Sequence, residues 1–306
     1  MATHVFEPEI YYPTHGSHPP VLEIDPGDTV STTTVDARGG DKHGEFCGVA
    51  GNPQTGPFAV RGAEPGDTLV VKIDELWPNR PDGFTGVRIA PNVTDFGYDP
   101  TFDDDAAPTA IWSLDLEAGI ATLATPRNRL GAIELPLKPM IGCFGVAPER
   151  GQAISTATSG THGGNMDYRG FGKGVTVYFP VFVEGALFSL GDCHATQGDG
   201  EIVLNGIETS MDVTFTLDLL KGHSISWPRA ENDEYIMAAG NTRQLDQALR
   251  HATTELVRWM CDGYGLTERE AHLLLGQCIE YDVGSVYDAA GTMVAKVEKS
   301  LLAQFK

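Results

Sequence analysis

Residues 189–201 read Ser-Leu-Gly-Asp-Cys-His-Ala-Thr-Gln-Gly-Asp-Gly-Glu, with apolar segments on either side. They hold three carboxylates, one imidazole, one thiol and three glycines, more titratable groups than a corner in the chain requires. Asp192 and His194 are two apart, so on an extended segment both side chains face the same way. A carboxylate beside an imidazole is what a metal site or a proton-transfer site needs. Cys193, between them, then points to the opposite face. Gly198 and Gly200 let the backbone bend sharply and bring Glu201 back toward the pair. The plain alternative is a hairpin loop whose Asp residues solvate a turn, but turn chemistry calls for neither His194 nor Glu201.

Two further places carry candidate groups. Asp36 stands where a β-branched strand gives way to a Gly-rich loop, a common position for functional side chains. Nearby Asp41 and His43 repeat the two-residue spacing, in surroundings so polar that an exposed loop is the expected reading. Farther on, Gly160-Thr161-His162-Gly163-Gly164-Asn165-Met166-Asp167 puts vicinal glycines after an imidazole. Glycines there permit close approach of the backbone to a ligand or to another segment; a surface turn with a solvated His162 is the competing reading.

Most of the chain that must position these groups reads as β structure. The tetrapeptide Pro-Gly-Asp-Thr occurs at 26–29 and again at 65–68, each time ahead of a β-branched run, which predicts paired hairpins. Strands are predicted over 174–183, 185–190 and 208–220, the last with Val213, Phe215, Leu217 and Leu219 on one face. Residues 78–110, rich in Pro, Gly, Asp and Asn, are expected to form long loops. The pattern then changes. Leu245, Leu249, Ala252, Leu256 and Trp259 recur at helical spacing over 244–260, and Thr267 with Glu270 forms a capping box that opens a second helix. The fold class is therefore α+β, predominantly β: β-sandwich or barrel-like N-terminal and central parts with a smaller α/β C-terminal part. A division into 1–140, 141–225 (carrying the site motifs) and 226–306 follows these changes, although no linker marks the borders.

Composition bounds the function. Apolar residues make up 41% and charged residues 21% of 306, as in soluble globular proteins. The net charge of −21 argues against nucleic acid and anionic membrane surfaces as partners, both of which attract basic patches. No apolar run reaches the roughly 18 residues of a spanning helix, and the first residues lack a signal-peptide pattern. Cys47, Cys143, Cys193, Cys261 and Cys278 are odd in number and form no CxxC pair, which predicts five unpaired thiols and a reducing, cytoplasmic setting. The Pro- and Gly-rich loops need something to pack against, so a homo-oligomer, most simply a dimer, is expected.

Several of these segments together resemble the acetamidase/formamidase family. The resemblance rests on residues 160–167 and 191–201, the HGGNMD and GDxHAxQGDGE patterns. It is supported by Gly62-Ala63-Glu64-Pro65-Gly66-Asp67, by Asn52-Pro53-Gln54-Thr55-Gly56-Pro57, and by Ile141-Gly142-Cys143-Phe144-Gly145-Val146-Ala147-Pro148, in order over about 20–280. It implies a β-rich fold with an α/β C-terminal part, hydrolysis of small amides to carboxylate and ammonia, and a bound metal. Cys193 falls at the variable position of GDxHA, which speaks against a nucleophilic thiol.

Amide hydrolysis requires a polarised carbonyl, an activated water and a protonated leaving amine; a divalent ion serves the first two and a carboxylic acid the third. On that basis Asp36, Asp192 and His194 are the expected metal ligands. His162 is expected as a fourth ligand or as support for one, and Glu201 as general base and acid. Asn165, with the 163–164 backbone, is the expected binder of the amide oxygen. The mixed N/O set suits zinc best, with calcium as the alternative. Formamide and acetamide have little apolar bulk, and one methyl is worth only about 1–3 kcal/mol, so a tight hydrogen-bonding pocket is expected. Two rival readings are the same scaffold acting on another C–N substrate, and a non-catalytic β-sandwich that binds a metal or a sugar.

Overall fold

The computed structural model describes residues 1–98, 109–125 and 127–305. Two sheets face each other, as the alternating apolar strands require. One has nine strands, drawn from both ends of the chain: Thr3–Val5, Asp28–Thr33, Met211–Leu220, Thr68–Pro78, Thr176–Pro180, Arg229–Glu231, Tyr235–Thr242, Gly291–Glu298 and Glu280–Val283, in that spatial order. The two Pro-Gly-Asp-Thr turns thus feed strands on either side of Met211–Leu220. The second sheet has seven strands, with Met140–Gly145 between Gly163–Asn165 and Phe188–His194. Aromatic rings fill the space between the sheets: Phe58 and Phe188 each meet Phe215 edge-on at 5.3 and 5.4 Å, and Phe144 meets Phe179 at 5.3 Å. Each such ring, fully buried, contributes about 1.5–3 kcal/mol.

The helical part covers the far end of the nine-stranded sheet. Helix Leu245–Tyr264 packs on strands Tyr235–Thr242 and Gly291–Glu298, and helix Glu268–Cys278 packs on helix Leu245–Tyr264. Alternation in Tyr235–Thr242 serves two cores at once: Ile236 and Ala238 face the helices, while Met237 and Ala239 join the sandwich. The capping box forms as expected, with the Thr267 N–H donating to Glu270 Oε2 at 2.8 Å and the Glu270 N–H to Thr267 Oγ1 at 3.3 Å.

The expectation of long loops over 78–110 needs correction. Asp82–Gly86 is a strand that pairs with Thr109–Asp115, and the two belong to a four-stranded sheet with Ile120–Thr125 and Glu134–Pro136. Residues 99–108 of that expectation lie outside the described residues. All five cysteines are free thiols. No helix among the described residues is long and apolar enough to cross a membrane.

Candidate active site

His194 ends the strand Phe188–His194 and is fully buried. Gln197 fixes its tautomer. The Gln197 Nε2 end donates to the Asp167 carbonyl at 2.6 Å, so Oε1 turns toward the imidazole and accepts from Nδ1 at 2.7 Å. Nε2 is left facing three carboxylates: Glu208 Oε1 at 3.0 Å, Asp192 Oδ1 at 3.5 Å and Glu201 Oε1 at 3.9 Å. None of these is aligned as a hydrogen bond to it. Asp167 Oδ1 and Glu208 Oε2 are likewise buried without a hydrogen-bond partner. Buried polar atoms are normally satisfied, so three orphans in one cluster call for an explanation.

The expected pair Asp192 and His194 does come together, though not by simple alternation. Asp192 has φ 55° and interrupts the ladder: Gly191 pairs with Cys143 and Cys193 with Ile141 across the kink. Asp167 (φ 44°) and Glu201 (φ 52°) also adopt left-handed backbone. Three site carboxylates in a conformation that L-residues avoid is a pattern associated with functional sites. Gly142, opposite Asp192, makes the room. A Cβ there would fall against Asp167 Oδ1 and lie 2.7 Å from the Asp192 carbonyl oxygen and 3.3 Å from His194 Cε1.

Amides from elsewhere in the chain clamp the carboxylates. Asn52 Nδ2 donates to Asp192 Oδ2 at 2.8 Å and to Asn165 Oδ1 at 3.0 Å. Asn165 Nδ2 donates to Asp167 Oδ2 at 2.8 Å and to Asp288 Oδ2 at 2.6 Å, and Asn205 Nδ2 to Glu208 Oε1 at 3.0 Å. Burial, reinforced by neighbouring negative charge, pushes the carboxyls of Asp167 and Glu201 well above the ordinary range although His194 opposes it. Burial likewise lifts Glu208 to about 7. On His194 burial acts downward, but the charges of Glu208 and Asp192 prevail and raise it well above its usual value.

Two overlapping sets, Asp167–His194–Glu201 and Asp192–His194–Glu208, each bring three donor atoms within 4.8 Å of one another. The residues therefore fit a divalent cation: the donors converge, several are orphaned, and one imidazole nitrogen among carboxylate oxygens suits zinc or a harder ion.

Three expectations change here. Asp36 joins neither set. Its Oδ2 pairs with Arg80 at 2.7 Å and its Oδ1 accepts the Arg38 and Gly40 N–H groups at 2.8 and 2.9 Å, so both oxygens are occupied in holding a loop. Asn165 has spent its amide on carboxylates rather than facing an amide oxygen, and Gly163 and Gly164 lie in a ladder with Gly145 and Phe144. His162 is buried against His15, ring centroids 5.5 Å apart, with Nε2 unpartnered. It too stands outside both donor sets, and burial depresses it to about 4. Asp41, as expected, organises an exposed loop by accepting the His43 and Glu45 N–H groups.

Sequence reasoning passed over Asp167, Gln197 and Asn52, though each stands inside a segment singled out above. Glu208 and Asp288 carry no local signal. Glu208 is placed by backbone bridges to His194 and Phe84.

Cys193 lies in the apolar core at 0% exposure, and burial pushes its thiol up to about 12. A thiolate nucleophile is therefore disfavoured. Cys193→Ala is expected to keep activity within about tenfold; a thousandfold loss with metal content unchanged would restore covalent catalysis.

A cavity of about 810 Å3 adjoins the cluster. Of the cluster's carboxylates, Glu201 lines it. Gln197 and Asn205 add polar groups, and Trp112, Leu123, Leu135 and Ile207 form apolar wall. This is not the tight pocket expected from formamide and acetamide.

An acetamidase from Mycolicibacterium smegmatis is 33% identical over 221 residues, 55% of this chain and 53% of that protein. A formamidase from Methylophilus methylotrophus is 28% identical over 275 residues, 70% of this chain and 64% of that protein. The chain thus spans between about half and two thirds of the length of these relatives. The crystal structure of an acetamidase from Yersinia enterocolitica superposes with a TM-score of 0.84 at 32% identity, covering 99% of this chain and 93% of the other. The family model for acetamidases and formamidases matches residues 7–153 and 149–297, nearly the whole chain, and the chain belongs to the Acetamidase/Formamidase family.

Proposed function

We propose that this chain hydrolyses the C–N bond of a linear carboxamide, of which formamide and acetamide are the shortest, giving a carboxylate and ammonia with the help of a divalent ion. The observation that carries the reading is Glu201, which belongs to the buried cluster and also lines the cavity. A group so placed can take a proton from an attacking water and return it to the departing nitrogen. Its raised affinity for protons suits the second half of that task. His194, held in one tautomer by Gln197, keeps Nε2 directed at the carboxylates. Asn52 and Asn165 hold Asp192 and Asp167 in place, so that the donors need no rearrangement. Asp192, His194 and Glu208 would hold the ion, zinc being favoured by the imidazole, which leaves Glu201 to carry the proton. When bound, such an ion supplies Lewis acidity toward a carbonyl or a water. The names of the relatives, acetamidase and formamidase, support the amide as substrate, and the unpaired thiols support a cytoplasmic setting.

Ammonia release from a panel of amides, measured before and after exhaustive chelation and again after zinc or calcium is restored, tests the proposal. Release abolished by chelation and recovered with zinc is expected. Full activity in metal-free protein would remove the ion from the reaction, and no release from any amide would remove the activity.

A further inference from the structure

The cavity beside Glu201 is far larger than formamide or acetamide requires. Its volume of about 810 Å3 corresponds to more than about twenty waters and falls in the range of about 300–1,000 Å3 that accommodates drug-sized ligands. Its wall is apolar and much of it is fixed. Leu123 and Ile207 are buried at 7% and 3% exposure. The Trp112 indole is oriented by donation from Nε1 to Thr85 Oγ1 at 3.1 Å. Leu135 comes from the short strand Glu134–Pro136. Polar lining comes with Gln197, Glu201 and Asn205, next to the catalytic cluster. Arg169, at the same cavity, is engaged by Asp199, and the exposed Lys138 lines it too.

We infer, building on the amidase reading, that the preferred substrate is a carboxamide with an aryl or branched-alkyl body. The amide end meets Glu201, and the body packs on Trp112, Leu123, Leu135 and Ile207. Transfer of apolar surface from water to such a wall is favourable at about 25 cal/mol per Å2. Part of that binding appears in kcat/KM because it holds the amide at the reacting groups. The four-stranded sheet carrying Trp112, Leu123 and Leu135 is then a specificity element attached to the carboxylate–imidazole cluster that the seven-stranded sheet helps to build.

Steady-state kinetics on acetamide, isobutyramide and phenylacetamide decide the matter. With wild-type protein kcat/KM for phenylacetamide is expected to exceed that for acetamide by at least tenfold, with isobutyramide between them. In Leu135→Asp, which puts charge on the half-buried wall, that ratio is expected to fall toward one; circular dichroism checks the fold. Acetamide hydrolysed at least as well as phenylacetamide by the wild type overturns this inference and leaves the amidase reading standing. Release of ammonia from none of the three overturns both. An unchanged ratio in folded Leu135→Asp removes Leu135 and its wall from substrate binding.

Discussion

Glu201→Gln is expected to lower turnover by at least about a hundredfold while the protein stays folded and keeps its metal. The amide is isosteric with the carboxyl but can neither accept the proton of a water nor deliver one to nitrogen, and loss of a general base costs about this much. The carboxyl of the wild type is held well above the ordinary glutamate range, by burial first and by nearby carboxylates next. A base must be deprotonated to act, so wild-type kcat/KM should rise with pH through the acidic limb and Glu201→Gln should lose that limb. Steady-state rates from pH 4 to 9, beside metal analysis of the same preparation, read both effects. If metal leaves with the substitution, Glu201 is a ligand and the base lies elsewhere.

His194→Ala is expected to lose metal and activity together, each by well over tenfold in occupancy or rate. His194 is the one residue shared by both donor sets, and removing a ligand from a site of about four leaves a poorly satisfied one. The same variant should be less stable. In metal-free protein His194 pairs with Glu208 and Asp192, both buried, and deleting one partner of a buried ion pair typically costs about 3–5 kcal/mol because the remaining charge is uncompensated. Asp192→Ala should follow it in metal and rate, since Asp192 belongs to one of the two sets. Elemental analysis, rates and denaturant melts on the purified variants provide the three readouts. Asp192→Ala with full metal and full activity would place the site outside this stretch.

What could be read from the chain beforehand depended on distance along it. Asp192, His194 and Glu201 lie within one turn-rich stretch, so their spacing carried the information. Asp36 looked equally well placed at the end of a strand, but its partner Arg80 is far away in sequence and the ion pair arises only when two loops meet. Glu208 and Asp288 are brought in by bridges and loop packing that leave no periodic trace. Asn165 was recognised as part of the site, but its role was not: whether an amide faces a substrate or clamps two carboxylates depends on where Asp167 and Asp288 end up. The helix starts and the capping box were legible because they are local, whereas the first helix runs past the expected end at 260 to Tyr264. The strand Asp82–Gly86 was hidden by its glycines, which Gly83 needs for close approach to Ile207 and Glu208 and which in sequence look like a loop.

Asp167, Asp192 and Glu201 each hold a backbone conformation that glycine would adopt without strain. Strained positions of this kind cost about 1–3 kcal/mol each, against total stabilities of about 5–15 kcal/mol for a domain. A fold optimised only for robustness would not place carboxylates at these positions. Drift under relaxed selection for activity should run toward glycine or asparagine at the three sites and yield a hardier, inert protein. Random libraries screened for thermal tolerance alone would be led the same way, so a search for a tougher catalyst from this scaffold has to hold these three residues fixed and look for its gains in the outer strands and helices.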